Sequence, residues 1–122
     1  HEFKSMLIIN EGNGVFKTVY LPNEAQMGPT MATIAKDING DGNVDVLGVG
    51  GLYDAEVETV RYDGNFGYVL LGDGKGNYTY DKTYEPYIPF DAKDVKQISV
   101  AGSNHYFVVS NNNSLELFTY QP

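Results

Sequence analysis

Nowhere in this chain do apolar side chains recur at i, i+3 and i+4 over about eleven residues, and no segment opens on a convincing helix cap. Short runs of Val, Ile, Leu, Tyr and Phe recur instead, each closed by Gly, Asn or Asp. That punctuation leaves room for strands and tight turns and for little else. The runs predict nine strands, over residues 5–9, 15–20, 31–36, 44–50, 66–71, 77–84, 95–100, 106–110 and 115–120. The 14 glycines and 10 tyrosines agree with a turn-rich β protein. The expected class is all-β and mostly antiparallel.

Three connections are longer than a hairpin turn. Residues 21–30 carry Pro22 and Pro29, and residues 85–93 carry Pro86 and Pro89. Each follows the second strand of a hairpin and precedes another apolar run, so each is expected to cross from one sheet to the next. The charged and aromatic segment 51–65 is the longest excursion, and long loops of compact β domains often carry function.

The chain also matches itself. Leu7-Ile8-Ile9-Asn10-Glu11-Gly12-Asn13-Gly14-Val15-Phe16 aligns with Val69-Leu70-Leu71-Gly72-Asp73-Gly74-Lys75-Gly76-Asn77-Tyr78 at an offset of 62. Apolar residues, an acidic residue, Gly-x-Gly and an aromatic recur in register. A repeat of this length with several strands suggests propeller blades, because a small sheet cannot bury both faces unless its neighbours stack on it. Propellers need about 4–8 blades of four strands. The chain divides into the outer strands of one blade (1–30), a complete blade (31–84) and a partial one (85–122). That is about two blades and an incomplete ring. A longer chain, several copies or an open stack would each satisfy it.

The most specific motif is Asp37-Ile38-Asn39-Gly40-Asp41-Gly42-Asn43-Val44-Asp45, which fits D-x-[DN]-x-D-G-x-x-D. Oxygen ligands at alternate positions converge because the glycine at the sixth position lets the chain turn sharply about an ion. By analogy with such loops, Asp37, Asn39, Asp41 and Asp45 bind through side chains and Asn43 through its backbone carbonyl. Three carboxylates with neutral oxygens suit Ca²⁺ better than Mg²⁺. An EF-hand is excluded: Gly48 stands where it needs a bidentate Glu, and both flanks read as strands. The alternative is a metal-free hairpin held by Asx-turns.

These features together resemble the FG-GAP/VCBS repeats of integrin-like β-propellers. Gly51-Leu52-Tyr53, Arg61-Tyr62-Asp63, the Gly67–Gly76 stretch and Val108-Val109-Ser110-Asn111-Asn112 are similar to the C-terminal end of ASPIC/UnbV-related exported bacterial VCBS-repeat proteins. The resemblance implies a calcium loop joining the first two strands of a blade. It also implies a location that is secreted, periplasmic or at the bacterial cell surface, and a role in adhesion. The second copy has Val100-Ala101-Gly102-Ser103-Asn104-His105 where a second loop would fall, without a carboxylate. One metal site is therefore expected.

Charge narrows the partners. Sixteen acidic and eight basic residues give a net charge of −8 and a pI of about 4.5, a field that repels phosphate backbones and anionic membranes. Neither nucleic-acid binding nor membrane insertion is expected. There is no cysteine, hence no disulfide or thiolate site. No signal-peptide pattern is visible, so export would be encoded outside these 122 residues.

Asp54, Glu56 and Glu58 alternate along the long loop ahead of Arg61 and Asp63. They make either a ligand or second cation site or a charge-protected strand edge, and Arg61 with Asp63 either contacts ligand or forms a fixing ion pair. Tyr78, Tyr80 and Tyr84 share one strand parity with Tyr87 beyond, a row suited to stacking on a sugar or partner, or to cross-strand packing. No G-x-S-x-G, HExxH or P-loop occurs, so no enzyme is expected. The sequence leads to a non-catalytic calcium-binding module presenting a surface to protein or glycan. The alternatives are a module that self-assembles by strand addition into rings or fibres, and a carbohydrate-active module.

Overall fold

The computed structural model describes residues 2–52, 64 and 66–120. They form nine strands: β1 (Met6–Gly12), β2 (Val15–Tyr20), β3 (Thr30–Lys36), β4 (Asp45–Gly50), β5 (Tyr68–Gly72), β6 (Tyr78–Tyr80), β7 (Ala92–Val100), β8 (Ser103–Ser110) and β9 (Glu116–Phe118). Each overlaps one of the nine expected runs. The strands make three antiparallel sheets, ordered β1-β2, β3-β4-β5-β6 and β7-β8-β9, and none is closed. The two Pro-bearing connections do pass from one sheet to the next.

The internal repeat persists in the strand pairing. Ile8, Ile9 and Asn10 on β1 face Thr18, Lys17 and Phe16 on β2. Leu70, Leu71 and Gly72 on β5 face Tyr80, Thr79 and Tyr78 on β6, the same register moved by 62 residues. The two turns differ. Gly12, Asn13 and Gly14 all take positive φ in the first, whereas Gly74 and Gly76 supply it in the longer second turn. There Asp73 accepts hydrogen bonds from the Lys75 and Asn77 N–H groups and from the Asn77 side chain.

Alternation decides what is buried. On one face of the middle sheet Leu47, Val49 and Val69 meet Val95, Tyr106 and Val108 of the third sheet, with Ile38, Ile88 and Ala92 completing the main core. On the opposite face Tyr68 and Leu70 pack with Tyr78 and Tyr80 under Leu21 and Ala25, which come from the connection after β2. The first hairpin is held at its base by Gln26. Its side chain accepts from the Ser5 N–H at 2.7 Å and donates to the Ser5 and Leu21 carbonyls at 2.9 and 3.0 Å.

One expected strand ends early. The run 77–84 breaks after Tyr80, because the Asp81 side chain accepts from the Thr83 N–H at 2.8 Å and starts a 3₁₀ turn over Lys82–Tyr84. Tyr84 therefore leaves the strand, and the three tyrosines do not form one row.

Candidate functional site

The Asp/Asn-rich segment joins β3 to β4, as its pattern requires. Gly40 and Gly42 sit at φ of 81° and 87°, where a side chain is strained, and they fold the loop back on itself. Its side chains then take up the loop's own backbone donors. Asp37 accepts from the Gly40 N–H at 2.7 Å through one oxygen and from the Gly42 N–H at 2.9 Å through the other. Asn39 accepts from the Asp41 N–H at 3.0 Å and donates its amide to the Asp41 carboxylate at 3.0 Å. Asp41 accepts from the Asn43 N–H at 2.7 Å. The Asn43 N–H and then the Asn39 amide hold the Asp41 carboxyl below its usual range.

Asp45 behaves differently. Its side chain is 0% exposed. One oxygen accepts from the Ile38 N–H at 2.8 Å, with a longer approach from Asn39 at 3.4 Å, and the other from the Gly72 N–H at 2.9 Å. A single carboxylate thus ties the metal-type loop to the start of β4 and to the end of β5. The sequence marks Asp45 as a ligand position; its hold on Gly72 depends on a strand 27 residues away and has no local signal.

Asp37, Asn39, Asp41 and Asn43 therefore share one exposed loop, with Asp45 turned inward beneath it. Among the described residues, no three Asp, Glu, His or Cys side chains converge in a metal-holding group. None of the loop aspartates has an ion pair to a basic side chain among those residues. The carboxylate oxygens of Asp37 and Asp41 retain lone pairs beyond the bonds described. Chemically the loop is a set of oxygen acceptors with no basic side chain paired to its aspartates among the described residues.

No protein-family model, curated protein or solved structure matches this chain. Where the first copy of the repeat has this loop, the last sheet has the two-residue turn Ala101-Gly102 between β7 and β8, both at positive φ.

Of the second group of candidates, Arg61 and Asp63 lie outside the described residues, as do Asp54, Glu56 and Glu58. Tyr80 is half-buried. It lines a cleft of about 320 Å³ with Glu24, Met27, Phe66, Lys82 and Glu85. Burial first, and then a hydrogen bond to Glu85, pushes its phenol up to about 12. Tyr87 is exposed and its ring lies tilted at 33° to that of Phe66, with ring centroids 5.6 Å apart. No helix among the described residues is long and apolar enough to cross a membrane.

The tyrosines set an alkaline limit. Burial also raises Tyr68, Tyr106 and Tyr120 above the ordinary phenol value of 10.0. A group whose pKa is raised in the folded state stabilises the fold fully below its unfolded value, and loses that contribution as pH rises through the folded one. Stability is therefore expected to hold up to pH 10 and to fall between 10 and about 12. Tyrosinate absorbance should rise late in the native protein and jump on unfolding. Titration of all ten tyrosines near pH 10 in the folded protein would contradict this.

Proposed function

We propose that this chain is a non-catalytic β-propeller repeat module of the FG-GAP/VCBS kind, stiffened by Ca²⁺ at the Asp37–Asp45 loop. It works outside the bacterial cell or at its surface, where it presents a rigid face to a protein or glycan. One observation carries the reading: a strand-to-strand loop bent by two positive-φ glycines and furnished only with oxygen donors, whose aspartates have no basic partner among the described residues. The matched register of the two hairpins, moved by 62 residues, supports the repeat.

The donor set fits a hard dication. Asp37, Asn39 and Asp41 would hold it through side chains and Asn43 through its carbonyl, with Asp45 anchoring the loop from below or joining as a ligand. The ion would supply charge neutralisation, so that Asp37 and Asp41 can lie close without repelling one another. The protein's own residues provide the rest: the glycines set the bend, and the Asx-type bonds fix the oxygens' direction.

Thermal unfolding tests this. Extracellular modules bind calcium with dissociation constants of about 10⁻⁴–10⁻³ M, so about 10 mM Ca²⁺ should add roughly 1.5–2.5 kcal/mol. That corresponds to a rise of about 5–10 °C in Tm. Mg²⁺ should do much less, and Asp41→Ala should abolish the rise. An identical Tm in calcium and in chelator would reduce the loop to an Asx-turn hairpin and remove the support for an extracellular calcium module.

A further inference from the structure

Separate stretches of chain meet around the hydroxyl of Tyr80. The connection after β2 brings Glu24 and Met27, and the approach to β5 brings Phe66. Tyr80 ends β6, the 3₁₀ turn after it supplies Lys82, and Glu85 caps that turn. Together they line the cleft of about 320 Å³, near the lower end of the range for small-molecule sites. The Tyr80 ring packs with Tyr68 and Leu70 in the second core. What it offers the cleft is therefore chiefly its hydroxyl, held by a hydrogen bond to Glu85.

The apolar side of the cleft is left over from folding. Phe66 is 39% exposed, Met27 62% and Tyr87 78%, and among the described residues none of the three packs into either core. The Phe66 and Tyr87 rings, 5.6 Å apart and tilted by 33°, make a shallow aromatic surface that leads out of the cleft. Tyr87 in turn lines a second cleft of about 310 Å³, which shares Glu85 with the first.

The charges decide what fits. Among the described residues the charged groups lining the first cleft are Glu24, Glu85 and Lys82, and Lys82 has no carboxylate partner there. A carboxylated or sulfated ligand would be repelled by two carboxylates, in a chain of net charge −8. An ammonium group would pair with those carboxylates but stand against Lys82. Uncharged hydroxyls both donate and accept, so they alone can use Glu24, Glu85, Lys82 and Tyr80 together, while the C–H face of a sugar ring lies on Phe66. We propose that the Tyr80 cleft is the binding site for one unit of a neutral glycan, whose next unit lies along Tyr87. This rests on the reading of the chain as a display module and narrows its partner to a glycan. It does not depend on calcium.

An array of glucan, mannan, galactan and N-acetylglucosamine oligomers, with sulfated, carboxylated and amino sugars and basic peptides beside them, tests this on the whole chain. Calorimetric titration of the best neutral binder follows, in calcium and in chelator. A neutral glycan should bind, and Phe66→Ala and Lys82→Glu should each weaken it about tenfold. Tyr80→Phe, which removes only the hydroxyl, serves if Phe66→Ala unfolds. Tyr87→Ala should weaken the oligomer and leave its monosaccharide unchanged. Phe16→Ala, an exposed aromatic on the first hairpin, should bind like the parent. No binding to any neutral glycan overturns the proposal, and so does binding confined to charged sugars or peptides. Phe66→Ala and Lys82→Glu variants that bind like the parent overturn it too. A Tm that rises with calcium in a chain that binds no neutral glycan removes the cleft alone. Glycan binding with no effect of calcium on Tm keeps the cleft and removes the calcium module.

Discussion

Replacing Asp45 with alanine is expected to cost about 3–5 kcal/mol, because buried N–H groups lose a charged acceptor and find no water. The two affected most are those of Ile38 and Gly72, at 2.8 and 2.9 Å. A loss of this size is a large share of the roughly 5–15 kcal/mol that holds a domain together. Tm should fall by about 10 °C or more. Asp45→Asn keeps one acceptor but turns an amide NH₂ toward a donor, so an intermediate loss of about 2 kcal/mol is expected. The informative condition is chelator. If Asp45 holds the backbone as its hydrogen bonds indicate, the penalty persists without calcium. Chemical denaturation in chelator checks this, and a variant as stable as the parent there would leave Asp45 with a ligand role only.

Gly72→Ala should be comparably damaging for a different reason. Gly72 ends β5 beside Asp45, and a methyl group placed on it would overlap the Val44 carbonyl and crowd the Tyr78 ring. Backbone cannot rotate aside as a side chain can, so β4 and β5 must separate, at a cost of at least about 3 kcal/mol. Gly102→Ala provides the contrast. Nothing lies within 4 Å of its added methyl group, and only its φ of 83° is unfavourable, a penalty of about 1 kcal/mol. Equal denaturation midpoints for the two variants would contradict the packing argument.

Much of the architecture was legible because alternation and turn residues act locally. Runs such as Val15–Tyr20 announce a strand through side chains one or two positions apart, and the Gly-x-Gly turns announce its end. The repeat was legible for the same reason, since its two copies need the same register. The metal-type loop could be placed between two strands because its nine residues set the turn and both flanks carry strand-type runs. What could not be read lies in contacts distant along the chain. Gln26 looks like an ordinary polar residue until Ser5, 21 positions earlier, comes beside it. The capture of Gly72 by Asp45 likewise depends on how β4 and β5 pair. The early end of β6 was a different omission: Asp81-Lys82-Thr83 carries a local Asx signal, which the run of tyrosines outweighed.

The Gln26 amide also sets the direction in which the first hairpin yields. Its three bonds to Ser5 and Leu21 close the end where the strands enter and leave, while the Gly12–Gly14 tip is exposed. A hairpin clasped in this way opens like a purse from the tip and not like a zip from its ends. Its loosest bonds are then those farthest from the chain's continuation, and the strand ends stay joined while the turn breathes.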